Sequence, residues 1–222
     1  MVDVHNCAIP VSPKLRIGKL PSITLTGFCT AAAALLTLAT IASHGFSENG
    51  VRLGSQVAWR FAFVLFVIAL VSGPLCRTVP FGLCRFLAPH GRQMIWSFCA
   101  AIGVYLASVF VPVALAQPLP HHEALDPGML LFVVFCGGLA AVMAYAAGPE
   151  ARTRLGEKAQ RTILAAGASY FWLTYSLSGL AHISGPHRPD LFSNISLSLM
   201  ILALLLRFLD RFLVKWKGAA SP

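Results

Sequence analysis

Six stretches of the chain run for about twenty residues or more with few charges, and short polar segments separate them. They cover residues 23–43, 57–76, 93–116, 128–148, 162–184 and 191–213. A helix needs roughly 20 residues to cross about 30 Å of hydrocarbon, so each stretch predicts a membrane-spanning helix. Apolar segments of period two, the mark of an outer-membrane barrel, are absent from the sequence. Helices satisfy their own backbone groups in lipid, which open strands cannot do. The pattern therefore predicts an all-α polytopic membrane bundle of six transmembrane helices over residues 21–217. Residues 1–20 form an N-terminal tail with prolines at 10 and 13, ahead of Pro21, and residues 218–222 form a C-terminal tail.

Charge gives this pattern a direction. Fourteen of the 17 Lys and Arg residues fall into four patches: Lys14/Arg16/Lys19, Arg77/Arg85/Arg92, Arg152/Arg154/Lys158/Arg161 and Arg207/Arg211/Lys215/Lys217. These patches occupy the tails and the even loops, so the positive-inside rule predicts that both termini are cytoplasmic. The expected location is a bacterial inner (cytoplasmic) membrane, crossed several times. The net charge of +9 does not point to nucleic acid, because the cations flank apolar runs and form no interleaved basic and aromatic face. The lipid bilayer itself is the expected partner. A composition of 57% hydrophobic and 11% charged residues agrees, since it leaves too little polar surface for a soluble globule.

The first apolar stretch resembles a signal peptide in position only. Its basic residues lie far from Met1 and its apolar run exceeds a typical h-region, so it is expected to be a retained span. The six cysteines avoid the predicted outer loops, which argues against a disulfide framework. Cys29, Cys99 and Cys136 are expected to act as small buried hydrophobes, and Cys7, Cys76 and Cys84 lack the spacing of a zinc site.

The linkers read as turns. Residues 44–56 carry Gly and Asn, residues 77–92 contain Pro80 and Pro89, residues 149–161 alternate Glu with Arg, and residues 185–190 form a short turn. In the second of these, Phe81, Leu83, Phe86 and Leu87 around Arg85 suit a short interfacial helix. Small residues cluster at Ala100/Ala101/Gly103, Gly137/Gly138/Ala141 and Ala165/Ala166/Gly167/Ala168, and are expected to build the bundle interior by allowing close backbone approach.

Candidate chemistry is sparse. Arg60 lies about one turn into the second span, where it can snorkel to the interface beside Trp59. Arg207 and Asp210 are placed to pair on one helix face. No acid or lysine occurs at mid-span, which counts against a proton relay or an ion-coupled transporter. Five histidines, His44, His121, His122, His182 and His187, fall near the predicted outer face, but their spacing supports no metal site. Phosphate loops, Ser/His/Asp arrangements and CxxC pairs are missing, and Cys84 with His90 is too little to mark a nucleophile. Asn194-Ile195-Ser196 matches a glycosylation pattern but abuts the sixth span. In the fifth span, Ser169, Tyr170, Tyr175, Ser176 and Ser178 require partners from neighbouring helices or from something bound there. No catalytic, cofactor-binding or metal-ligating residue is assigned from these features.

Trp59-Arg60-Phe61-Ala62-Phe63 leading to Gly73-Pro74-Leu75 resembles the second span of the ferric-reductase-like transmembrane domain family. The third span opens after Arg92 much as that family's opens after a basic pair. Leu155-Gly156-Glu157-Lys158, followed by Gly167 and Tyr170-Phe171-Trp172-Leu173, is similar to its fourth loop and fifth span. The resemblance covers residues 57–217. It implies a helix bundle that carries b-type haem on histidines of the third and fifth spans and passes electrons across the membrane. Laid on this chain, the third-span ligand positions fall at Ile102 and Tyr105. The fifth-span ligand falls at Leu164, with Gln160 in place of a Trp four residues earlier. None of these is histidine.

Two readings of the resemblance stand open. Either the bundle has lost its cofactor and packs side chains into the old pocket, or haem b is held by other groups such as His44 and His182. The first predicts a haem-free, non-catalytic membrane subunit or scaffold. The second predicts an electron-transfer protein, and a small transporter is a third class. Any redox role is expected to need a cytoplasmic redox or membrane-protein partner, because no flavin or nicotinamide motif is legible in these residues. Arg85, Arg154 and Lys158 in the basic loops are the expected docking groups.

Overall fold

A computed structural model describes residues 22–78, 90–114, 127–184 and 191–219. They form six helices and, among the described residues, no strand: α1 (Ser22–His44), α2 (Glu48–Thr78), α3 (Gly91–Ala114), α4 (Pro127–Ala147), α5 (Ala151–Ser184) and α6 (Leu191–Ala219). The expected interfacial helix around Arg85 lies outside the described residues, as do His121, His122 and His187.

The apolar spacing located all six helices, yet two linkers proved shorter than expected. The turn expected over 44–56 shrinks to residues 45–47. Gly45, at φ 74°, ends α1 in the left-handed conformation that favours glycine. Ser47 then caps α2: the Gly50 N–H donates to its Oγ at 3.3 Å and the Val51 N–H to its carbonyl at 3.0 Å. Asn49, Gly50 and Gly54 look like turn residues, but they belong to the first turns of α2. Glycine is needed there for space, since a Cβ at Gly50 would collide with the Gly45 carbonyl. The same holds at Gly54, where a Cβ would lie 2.6 Å from Ile41 Cγ1.

The loop expected over 149–161 contracts in the same way. Only residues 148–150 separate α4 from α5, and Gly156, at φ 76° and ψ 156°, breaks α5 after its first turn. That backbone conformation is accessible essentially to glycine alone. The alternating charges in this segment pair with each other: Arg154 meets Glu150 at 3.3 Å, Arg152 meets Glu157 at 3.1 Å, and Arg161 also binds Glu157.

Four helices are long and apolar enough to span a membrane individually: Leu25–His44, Asn49–Leu75, Gly91–Phe110 and Leu191–Asp210. The segments Leu131–Ala147 and Ala151–Ala181 qualify only together, as a pair bent by 116°. The reasons differ: Leu131–Ala147 is apolar but short by itself, whereas α5 has charged first turns and an apolar stretch interrupted by Ser169, Thr174, Tyr175, Ser176 and Ser178. Large apolar side chains face outward along the bundle, including Phe28, Leu131 and Phe208, each more than 70% exposed. Such a surface suits lipid and not water, and the chain is an integral membrane protein.

Helix α2 packs against α1, α3 and α6, while α1 also packs on α3, α3 on α4, α4 on α5, and α5 on α6. The first helix is integral to this arrangement, because Cys29, Ala33 and Thr37 are buried on it. Cys99 and Cys136 are likewise buried free thiols, as expected. The small-residue clusters need correction. Ala101 and Gly167 are buried, and Gly137 lies against Leu106, but Gly103, Gly138, Ala141, Ala165 and Ala166 face outward. Successive helical residues are rotated by about 100°, so a run of adjacent small residues cannot all face one neighbour.

Candidate functional site

The interior between α2, α3, α5 and α6 is filled by aromatic rings. Trp59 stacks against Tyr105 and Tyr175 at centroid distances of 5.2 and 4.5 Å. Phe63 meets Tyr175 at 5.1 Å and Phe192 at 5.5 Å, both edge-on. Deeper along α2, Phe66 contacts Phe98 at 5.2 Å, and Phe98 meets Phe171 at 4.8 Å with an interplanar angle of 86°. Edge-to-face and offset rings at these separations add to the apolar packing. Arg60 places its guanidinium 4.7 Å from the centre of the Phe192 ring, a cation–π contact that joins α2 to α6.

The positions at which the resemblance would put haem ligands lie in different surroundings. Ile102 is fully buried, and Tyr105 belongs to the Trp59 stack. Gln160 donates from Nε2 to the Ala146 carbonyl at 2.6 Å, so it satisfies a carbonyl in the last turn of α4 that lacks a helical partner. Leu164 forms part of a cavity wall. A b-type haem of this kind is held by facing imidazoles, and Ile102, Tyr105 and Leu164 are not histidine. His44 is exposed at the end of α1, with Nδ1 3.0 Å from the Thr40 carbonyl of its own helix. Among the described residues, no group of three His, Cys, Asp or Glu side chains converges as for a metal ion.

The polar residues of the fifth span, expected to need partners from neighbouring helices or from something bound, are satisfied unevenly. Tyr170 Oη reaches Cys136 Sγ on α4 at 3.7 Å, but Tyr175 Oη and Ser176 Oγ are buried with no hydrogen-bond partner among the described residues. Hydroxyls elsewhere mostly bond to their own helix, as Thr37 does to Ala33 and Ser97 to Gln93, both at 2.8 Å. This back-bonding lets a hydroxyl sit in an apolar helix without a neighbour. A direct tie between helices that the sequence did not signal comes from Trp172, whose Nε1 donates to the Met200 carbonyl at 3.2 Å.

A cavity of about 420 Å³ opens at the end of the bundle where α2, α4 and α6 finish and α3 and α5 begin. Its inner wall is apolar, formed by Phe66, Leu70, Ile95, Phe98, Met143 and Leu164. Arg92, Arg152, Arg161 and Arg207 line it as well, with Glu157 as the carboxylate among the lining residues. Desolvation works to raise the Glu157 pKa, but the facing Arg152 and Arg161 outweigh it and hold the carboxyl below the usual carboxylate range. The four arginines come from three separate basic patches, which the sequence marked for topology alone. Their convergence required the helix packing. No protein-family model, curated protein or solved structure matches the chain.

Proposed function

We propose that this protein is a haem-free, non-catalytic membrane subunit or scaffold, built as a six-span bundle of the ferric-reductase-like kind. The observation that carries this reading is the filling of the interior: Ile102 is fully buried, and Phe98 and Phe171 meet directly between α3 and α5. In a haem-carrying bundle that space belongs to the macrocycle and its two imidazoles. Among the described residues the buried side chains include no Asp, Glu, Lys, Arg or His: the polar ones are Thr37, Ser72, Ser97, Gln160, Ser193 and Ser196, beside the Tyr175 phenol and the Cys29, Cys99 and Cys136 thiols. That set supports a packed structural core over an ion-coupled transporter, which would use intramembrane charge.

Six crossings, which count the bent α4–α5 pair as two spans and not one, rest on helix length. The 21 residues of α4 carry no charge and, at 1.5 Å per residue, extend about 30 Å. The uncharged part of α5 after Arg161 is similarly long. With the basic even loops read as cytoplasmic under the positive-inside rule, the arginine-lined cavity faces the cytoplasm in this reading. A reporter that works only in the cytoplasm is expected to be active when fused after Pro222, and activity there of a reporter that works only outside the cytoplasm would overturn that orientation. The haem-free reading is tested by absorbance spectra of the purified protein before and after dithionite. It predicts no reduced α-band, and a stoichiometric b-type spectrum would refute it.

A further inference from the structure

We propose that the arginine-lined cavity binds an anionic phospholipid, with one acyl chain against the apolar wall and the phosphate on the guanidinium groups. Two independent features of the cavity point to an amphiphile. Its depth is lined by Phe66, Phe98 and Leu164, which offer nothing to a small polar solute. Its lining carries four arginines against one glutamate, a formal excess of three positive charges. Counting Asp210, three residues beyond Arg207 on α6, leaves the balance positive.

The arginines have partners, and this does not remove them from binding. Arg152 and Arg161 both engage Glu157, but a guanidinium has five N–H donors in a planar fork. A guanidinium that already holds other partners can take a phosphate by adding to or exchanging those bonds, and arginine recognises phosphate in bidentate fashion. The volume of about 420 Å³ lies within the span of roughly 300–1,000 Å³ usual for ligand sites. It suits one chain better than a whole lipid, so the second chain would remain in the bilayer. The cytoplasmic leaflet, onto which the cavity opens in the proposed topology, is also the leaflet where anionic lipid attracts basic groups. This inference goes beyond the scaffold reading and does not depend on the absence of haem. A haem spectrum would sink that reading and leave the lipid preference to be measured separately.

The test is native mass spectrometry of the full chain released from detergent, titrated with phosphatidylglycerol or phosphatidylcholine of identical acyl chains. At low salt the anionic lipid is expected to bind about tenfold more tightly, because both lipids carry the phosphate but only phosphatidylcholine adds a quaternary ammonium, which the arginines repel. The triple variant Arg92→Gln/Arg161→Gln/Arg207→Gln should bring the two lipids near parity. Ala168→Trp, which fills the cavity wall while keeping the charges, should weaken both. Glu157→Gln acts in the opposite direction, since removing the carboxylate should tighten phosphatidylglycerol binding several-fold. It therefore decides the matter even if the triple variant fails to fold. Equal affinity for the two lipids, unchanged preference in the triple variant, or no gain in Glu157→Gln would overturn the proposal. Displacement of the lipid by millimolar inorganic phosphate would also overturn it, by showing that the site takes a free anion.

Discussion

Replacing Gln160 by Met removes one hydrogen bond from the corner where α4 turns into α5 and changes little else. The two side chains are unbranched and of similar length, so packing is nearly conserved. Gln160 is 7% exposed and Ala146 is fully buried, so any water that replaces the lost donor must come through the arginine-lined cavity, which Gln160 also lines. The Ala146 carbonyl then sits in an apolar corner without the 2.6 Å bond that Gln160 supplies. An unsatisfied buried acceptor costs about 1–3 kcal/mol. Measured hydrogen bonds in membrane bundles average about 0.6 kcal/mol and reach about 1.7. The burial of both partners puts this case near the upper end, at about 1–2 kcal/mol. Equilibrium unfolding in mixed micelles with increasing SDS, followed by far-ultraviolet circular dichroism, reads this difference directly. A loss below about 0.3 kcal/mol, with helix content unchanged, would show that the Gln160–Ala146 bond does not hold the corner.

Other perturbations separate the parts of the account. Gly54→Ala places a methyl 2.6 Å from Ile41 Cγ1; the β-branched side chain yields poorly, so a loss of about 1–3 kcal/mol in the same unfolding assay is expected. Phe171→Ala empties a fully buried site against Phe98 and should cost about 3–5 kcal/mol, measured by the same titration. Glu157 has a folded pKa below its unfolded one because Arg152 and Arg161 face it. Its contribution to stability is therefore present above the unfolded carboxylate pKa of about 4.3 and is lost as pH falls through the folded value. Thermal melts from pH 7 to pH 3 should show an acid-limb decline that is shallower in Glu157→Gln, and identical profiles would remove the ion pairs from the explanation.

The helix plan was legible because apolar length is a direct physical requirement of the bilayer, and every apolar stretch holds a helix. The linkers misled for a definite reason. Gly50 and Gly54 carry turn chemistry, yet here glycine serves the close approach of α2 to the end of α1. Similarly, the Glu and Arg alternation around Gly156 reads as a loop, but its charges pair across helical turns and allow the backbone to stay helical on either side of the break. The small-residue clusters were half informative. Composition shows that close packing is available, while the 100° rotation between residues decides whether Gly137 or Gly138 uses it. The cavity was least visible. Arg92, Arg161 and Arg207 lie far apart in sequence and each has an adequate topological explanation, so only the packing of α3, α5 and α6 brings them to one place. The aromatic core was present in the sequence as scattered residues, without a periodic mark that Trp59, Phe98 and Phe171 would share one interior.

The central claim is that α3 and α5 meet directly through side chains, with no prosthetic group between them. A side-chain-resolution electron cryomicroscopy map of the full protein in a lipid nanodisc tests it without reference to activity. The account predicts Phe98 and Phe171 in edge-to-face contact near 4.8 Å, with Ile102 enclosed beside them. Density for a macrocycle wedged between α3 and α5, with those rings displaced, would contradict it.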